Sequence, residues 1–152
     1  MVGDWNGDGR AKVGIFRNGL WVLDYNGNGV FDFGTDKVYS IGQAGDIPVV
    51  GDWNGDGRGK VGIFRNGLWV LDYNGNGVFD FGTDKVYSIG QAGDIPVVGD
   101  WNGDGRAKIG IFRNGLWVLD YNGNGVFESG IDIVTVLGQA GDTPVAGRWQ
   151  IF

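Results

Sequence analysis

Two acidic loops recur along the chain, and each sets an oxygen-bearing side chain at every second position. Loop A runs through Asp4, Asn6 and Asp8 to Lys12. Loop B runs through Asp24, Asn26, Asn28, Val30 and Asp32 to Asp36. Both follow the pattern D-x-[DN]-x-[DN]-G. Calcium takes six to eight hard oxygens at about 2.3–2.6 Å. Side chains at positions 1, 3 and 5 converge on one point if the chain turns sharply, and glycine at position 6 permits that turn. Position 7 then offers a backbone carbonyl.

Loop B carries the fuller set. Asp24, Asn26 and Asn28 fill positions 1, 3 and 5, and Val30 supplies the carbonyl. Asp32 stands at position 9. Asp36 stands at position 13, one beyond the usual closing acid. The same set recurs as Asp72, Asn74, Asn76, Val78, Asp80 and Asp84. It recurs again as Asp120, Asn122, Asn124, Val126, Glu128 and Asp132. These are the candidate calcium ligands. The competing reading is a set of plain Asx-turns, since Asn, Asp and Gly are also ordinary turn formers.

Loop A is the weaker metal candidate. Its oxygens come from Asp4, Asn6 and Asp8, then Asp52, Asn54 and Asp56, then Asp100, Asn102 and Asp104. But Lys12, Lys60 and Lys108 stand where a further ligand belongs. An ammonium there substitutes for an ion and makes loop A a metal-free, salt-bridged turn. The acids are concentrated in these loops, which hold 15 of the 18 in the chain. A merely solvated surface scatters its charges instead. The glycines do not make a phosphate cradle, because no G-x-x-x-x-G-K-[ST] is present and the acids repel phosphate.

The loops sit inside a repeat. Gly-Asp-Trp-Asn-Gly-Asp-Gly-Arg begins at Gly3, Gly51 and Gly99, a period of 48 residues. The copies are 3–50, 51–98 and 99–146, within one repeat domain spanning 1–152. Copies one and two differ only at Ala11 against Gly59. That near-identity points to recent duplication or to engineering, and the start in mid-motif points to excision from a longer repeat protein. Copy three diverges over 128–137, and 144–152 reads as a closing strand for a neighbouring unit.

Each copy reads as four short strands and no helix. In copy two these are 48–53, 60–65, 68–73 and 85–89. Asn66-Gly67 between apolar runs signals a tight hairpin, because both residues tolerate the positive φ of a type I′ turn. In an up-and-down unit the 1–2 and 3–4 connections lie at the same end. Loops A and B therefore share one face. The fold class is all-β, with four-stranded antiparallel β-propeller blades. Three blades fall short of the usual ring of roughly four to eight. Self-association then completes the ring, as a homodimer of six blades or a homotrimer of nine. The alternative is a monomeric β-trefoil.

Composition narrows the chemistry. With no cysteine and no histidine, the usual general base, zinc ligands and disulfides are absent. Ser40, Ser88 and Ser129 lack any activating context, so no hydrolase triad can be assembled. Paired carboxylates serve glycosidases, but every Asp here recurs by symmetry and most belong to the loops. The net charge of -6 disfavours nucleic acid. No apolar run approaches the roughly 18 residues of a membrane span.

Asp-Trp-Asn-Gly-Asp-Gly followed by a strand such as Val-Gly-Ile-Phe resembles the FG-GAP and VCBS repeats of integrin-like calcium-loop propellers. These are common in bacterial surface and secreted proteins. The resemblance covers all three copies. It implies propeller blades and calcium in the loop between the first two strands. The chain departs from the family at Lys12, Lys60 and Lys108, where the family often places another Asp. The resulting expectation is a non-enzymatic, calcium-binding, extracellular or cell-surface scaffold with a protein or carbohydrate ligand. The alternative is a lectin-like carbohydrate-binding protein. Its candidate residues are the tryptophans, as stacking platforms, and Arg17, Asn18, Gln43 and Asp46 in the turns of the opposite face. Packing and turn chemistry are their competing roles.

Overall fold

The computed structural model describes residues 1–147. It contains twelve strands in three four-stranded sheets. The first sheet is β1 (Val2–Gly3), β2 (Lys12–Arg17), β3 (Leu20–Leu23) and β4 (Lys37–Ser40). The second is β5 (Ile47–Gly51), β6 (Lys60–Arg65), β7 (Leu68–Leu71) and β8 (Lys85–Ser88). The third is β9 (Ile95–Gly99), β10 (Lys108–Arg113), β11 (Leu116–Leu119) and β12 (Ile133–Val136). Every pairing is antiparallel between strands consecutive in sequence. Each sheet is thus a self-contained meander, and β5 and β9 straddle the boundaries of the 48-residue copies. A trefoil, which shares strands of all repeats in one barrel, does not fit this pairing.

The hairpin turns set the register. Asn66 and Gly67 adopt φ of 51° and 95°. They place Arg65 opposite Leu68 and Phe64 opposite Trp69. Alanine in place of Gly67 is barred twice, by the left-handed backbone and by the Gly90 carbonyl beside it. Strand β5 ends at Gly51 rather than at residue 53. The chain leaves the ladder there because Asp52 turns its carboxylate to the following N–H groups, while the Trp53 ring folds back over Gly51.

The core lies between sheets. Trp5, Trp21, Leu23 and Ile41 of the first repeat pack with Val61 and Ile63 of the second. Trp53, Phe64, Trp69, Leu71 and Ile89 of the second pack with Ile109 and Ile111 of the third. Burying a large apolar side chain stabilises by about 1.5–3 kcal/mol, so these two seams join the repeats. The backbone also crosses each seam: Gly59 N–H donates to the Asp4 carbonyl and Ala107 N–H to the Asp52 carbonyl. The first strands of the sheets are neighbours, β1 beside β5 and β5 beside β9. Of the expected closing strand over 144–152, residues 144–147 form no strand and 148–152 lie outside the described residues.

Candidate metal centre

Loop A is a tight backbone cage. The Asp4 carboxylate accepts from Gly7 N–H at 2.9 Å, Asp8 N–H at 3.2 Å and Gly9 N–H at 2.7 Å. Asn6 Oδ1 accepts from Asp8 N–H, and Asp8 Oδ1 from Arg10 N–H. Gly7 and Gly9 sit at φ of 77° and 83°, which curls the chain around the carboxylate. Lys12 Nζ fills the centre of this curl. It donates to Asp4 Oδ1 at 3.2 Å, Asn6 Oδ1 at 2.6 Å, Asp8 Oδ1 at 2.6 Å and the Arg10 carbonyl at 2.9 Å. These are the oxygens of positions 1, 3, 5 and 7. Burial works against the Lys12 charge, yet its hydrogen bonds to Asp8 and Asp4 outweigh that and hold its pKa above the usual value. Lys60 and Lys108 make the matching contacts to Asp52 and Asp56 and to Asp100 and Asp104.

Loop B repeats the frame bond for bond. Asp24 accepts from Gly27 N–H at 2.8 Å, Asn28 N–H at 3.2 Å and Gly29 N–H at 2.9 Å. Asn26 Oδ1 accepts from Asn28 N–H, and Asn28 Oδ1 from Val30 N–H. Gly27 and Gly29 adopt φ of 76° and 78°. Position 9, a lysine in loop A, is Asp32 here. Its Oδ2 accepts from Asn26 Nδ2 at 2.8 Å and Asn28 Nδ2 at 2.6 Å. Those two amides hold the Asp32 carboxyl below the usual carboxylate range. Asp36 closes the loop through the backbone, accepting from Tyr25 N–H and Asp32 N–H, both at 2.9 Å.

The second and third repeats reproduce this geometry. Asp80 accepts from Asn74 and Asn76, and Glu128 from Asn122 and Asn124. Val78 and Val126 hold the Val30 position, and their N–H groups are bound by Asn76 and Asn124. Asp84 and Asp132 close the loops as Asp36 does. Asp72 and Asp120 are fully buried, and that burial pushes their carboxyls up against the pull of the backbone N–H groups.

The two loops of a repeat lie side by side on one face, as the topology requires. The aliphatic stem of Lys12 lies against Gly27, that of Lys60 against Gly75 and that of Lys108 against Gly123. One lysine therefore centres loop A and backs loop B. Among the described residues, no three Asp or Glu side chains are gathered into a cage. The oxygens gathered in loop B are mixed instead, from the carboxylates of Asp24 and Asp32 and the side-chain amides of Asn26 and Asn28. Calcium accepts both kinds of oxygen, with an affinity that follows the number of charged ones.

Tyrosines lock the second and third loops B to the preceding repeat. Tyr39 packs on Gly77 and its hydroxyl faces the Gly75 carbonyl at 3.4 Å; Tyr87 does the same at Gly125 and Gly123. A cavity of about 220 Å³ lies in the second seam beside this lock, lined by Trp53, Tyr73, Tyr87, Arg106 and Asn122. The sequence alone missed this lock. Its signal is the replacement of Tyr39 and Tyr87 by Thr135 in the last copy.

Trp5, Trp21, Trp53 and Trp69 are buried, and their indole N–H groups donate to the Val13, Ile41, Val61 and Ile89 carbonyls. Stacking on sugar is closed to them. Asn18 sits in its hairpin turn at φ 53°. Asp46 accepts Arg65 in a two-pronged ion pair and also the Gln43 N–H. Arg17 is exposed. No protein-family model, curated protein or solved structure matches the chain.

Proposed function

We propose that the chain is a non-enzymatic, calcium-binding β-propeller module of the FG-GAP and VCBS kind. It serves as an interaction scaffold and completes its ring by joining further copies of itself. One observation carries the calcium reading. Loops A and B share one backbone frame, but loop A has a cation at its centre and loop B has an acid in its place. Loop B concentrates Asp24, Asp32 and Asp36 with no lysine or arginine inside the loop. A divalent cation neutralises that charge and takes its oxygens from Asp24, Asn26, Asn28, Val30 and Asp32. Asp36 holds the loop ends. Loop A needs no metal, because its lysine already does that work. A modest affinity of this kind suits the extracellular space, where calcium is abundant.

The test is thermal unfolding in chelator and in millimolar calcium. A ligand that binds only the folded chain raises its melting temperature. Equal melting temperatures would end the calcium reading.

The carbohydrate-binding reading keeps one observation in its favour. The seam cavity joins aromatic walls, Trp53, Tyr73 and Tyr87, to the polar groups of Arg106 and Asn122. Screening against a glycan array tests it, and an array with no bound sugar removes it.

A further inference from the structure

The first and third repeats each leave one sheet face uncovered, and the two faces differ in kind. Val61 and Ile63 of β6 are 0 % and 1 % exposed, whereas their counterparts Val13 and Ile15 of β2 are 56 % and 51 % exposed. At the other end, Ile41 and Ile89 are each 5 % exposed, and their counterpart Leu137 is 72 % exposed. Trp101 and Trp117 are half-buried, whereas Trp5, Trp53, Trp21 and Trp69 are buried. Large exposed apolar patches of this sort mark interaction surfaces.

Polar groups follow the same pattern. Within the chain, Asp46 pairs with Arg65 and Asp94 with Arg113, each with Nε–Oδ1 at 2.5 Å and Nη2–Oδ2 at 2.7 Å. The next members of the series are Asp142 and Arg17. Asp142 is exposed; among the described residues it binds only the Gln139 N–H, and Arg17 has no carboxylate partner. One end of the chain offers the acid and the other end offers the base.

We propose that these two faces are the halves of one seam, and that a second copy of this chain occupies each. The inference rests on the propeller reading above and names the surface that closes it. Repeat three of one copy seats Trp101, Trp117, Leu119 and Leu137 on Val13 and Ile15 of the next. Asp142 takes the guanidinium of Arg17 across the junction. The template is the pair of seams already inside the chain, whose geometry the contact continues. The contact is head-to-tail, so it closes into a ring where the rotation allows and otherwise propagates.

The junction also completes a site. Asp24 is half-buried while Asp72 and Asp120 are about 1 % exposed, because no preceding repeat covers the first loop B. An apolar groove of about 170 Å³ lies open beside it, lined by Val13, Ile15, Val22, Gly29 and Phe31. In the second repeat Tyr39 lies against Gly77, the counterpart of Gly29. Repeat three brings Thr135 instead of tyrosine and Ile133 instead of lysine. The junction is therefore more apolar than the internal seams and carries no tyrosine hydroxyl lock.

Sedimentation velocity on the full chain, in calcium and in chelator, tests the proposal. The wild-type chain is expected at a multiple of its 16.3 kDa mass. Arg17→Asp and Asp142→Arg each weaken assembly by at least about tenfold, and the double exchange restores it. Ile15→Lys, at a position exposed in the isolated chain, abolishes assembly while the circular dichroism spectrum is kept. A wild-type chain that stays monomeric up to its solubility limit overturns the proposal, as does a double exchange that fails to recover. Calcium titration of the same samples separates the two readings. A monomer that binds calcium refutes the seam alone, and an assembly that binds none refutes the calcium site alone.

Discussion

Lys12 and Asp32 occupy the same position in two loops that share one backbone frame. Both loops use the same five backbone hydrogen bonds, two glycines near φ 80° and the same spacing of oxygens. At position 9, loop A presents an ammonium to these oxygens and loop B presents a carboxylate to the neighbouring amides. The sign of the charge at one position thus decides which groups close the loop: an ammonium donating to the oxygens of loop A, and two side-chain amides donating to the carboxylate of loop B.

The first prediction follows from that exchange. Asp80→Lys puts into the second loop B the residue that centres loop A. The variant keeps its fold by circular dichroism, since the same frame already tolerates lysine. It binds one calcium fewer per chain by calorimetric titration. An unchanged ion count would show that Asp80 has no part in holding the ion.

The lysine of loop A has an acid signature. Lys108 holds the Asp104 carboxyl down to about 2, against an unfolded value of 3.8. A carboxylate depressed in the folded state contributes stability that is full above pH 3.8 and is lost as pH falls through about 2. Lys108→Met removes that contribution. The variant melts lower than wild type at neutral pH, and the gap narrows on acidification through this window. A gap that stays constant down to pH 2 would contradict the pairing.

Gly77 is predicted to be intolerant of any side chain. A Cβ there meets the Tyr39 ring of the preceding repeat, and the backbone is left-handed at φ 80°. Gly77→Ala destabilises by about 1–3 kcal/mol, read by urea unfolding. Gly29→Ala shares the positive φ but meets nothing within 4 Å in the single chain, so it costs less. Equal losses at the two positions would remove the steric lock from the account.

Trp69 is a core residue and not a ligand platform. It is fully buried, with its ring tilted against Phe64 at 4.9 Å and its indole N–H on the Ile89 carbonyl. Trp69→Ala lowers unfolding free energy by about 3–5 kcal/mol. A loss below about 1 kcal/mol would be inconsistent with that packing.

Much of this was legible before any coordinates. The period of 48 residues fixes the repeat, the Asn-Gly pairs fix the hairpins, and the strand of Lys60–Arg65 falls where its apolar run lies. The loops were legible because their chemistry is local: every bond in the frame spans five residues or fewer. What was not legible is what crosses between elements. The bond of Tyr39 to Gly75 spans 36 residues and that of Arg65 to Asp46 spans 19. Neither partner has a local reason to meet the other. Trp5 and Trp53 were legible as packing residues with a locally satisfied indole N–H, but the residues of the next sheet that they pack against were not. From the sequence, the turn residues Asp46 and Gln43 are ligand candidates or turn formers carrying solvated charge, and the Arg65 that Asp46 pairs with gives no local sign of it.

The most direct test of the central claim is a count of calcium ions on chelator-stripped protein, by equilibrium titration with calorimetric detection. The account predicts three per chain, one for each loop B, with every loop A served by its own lysine. No binding at millimolar calcium, or six ions per chain, would contradict it.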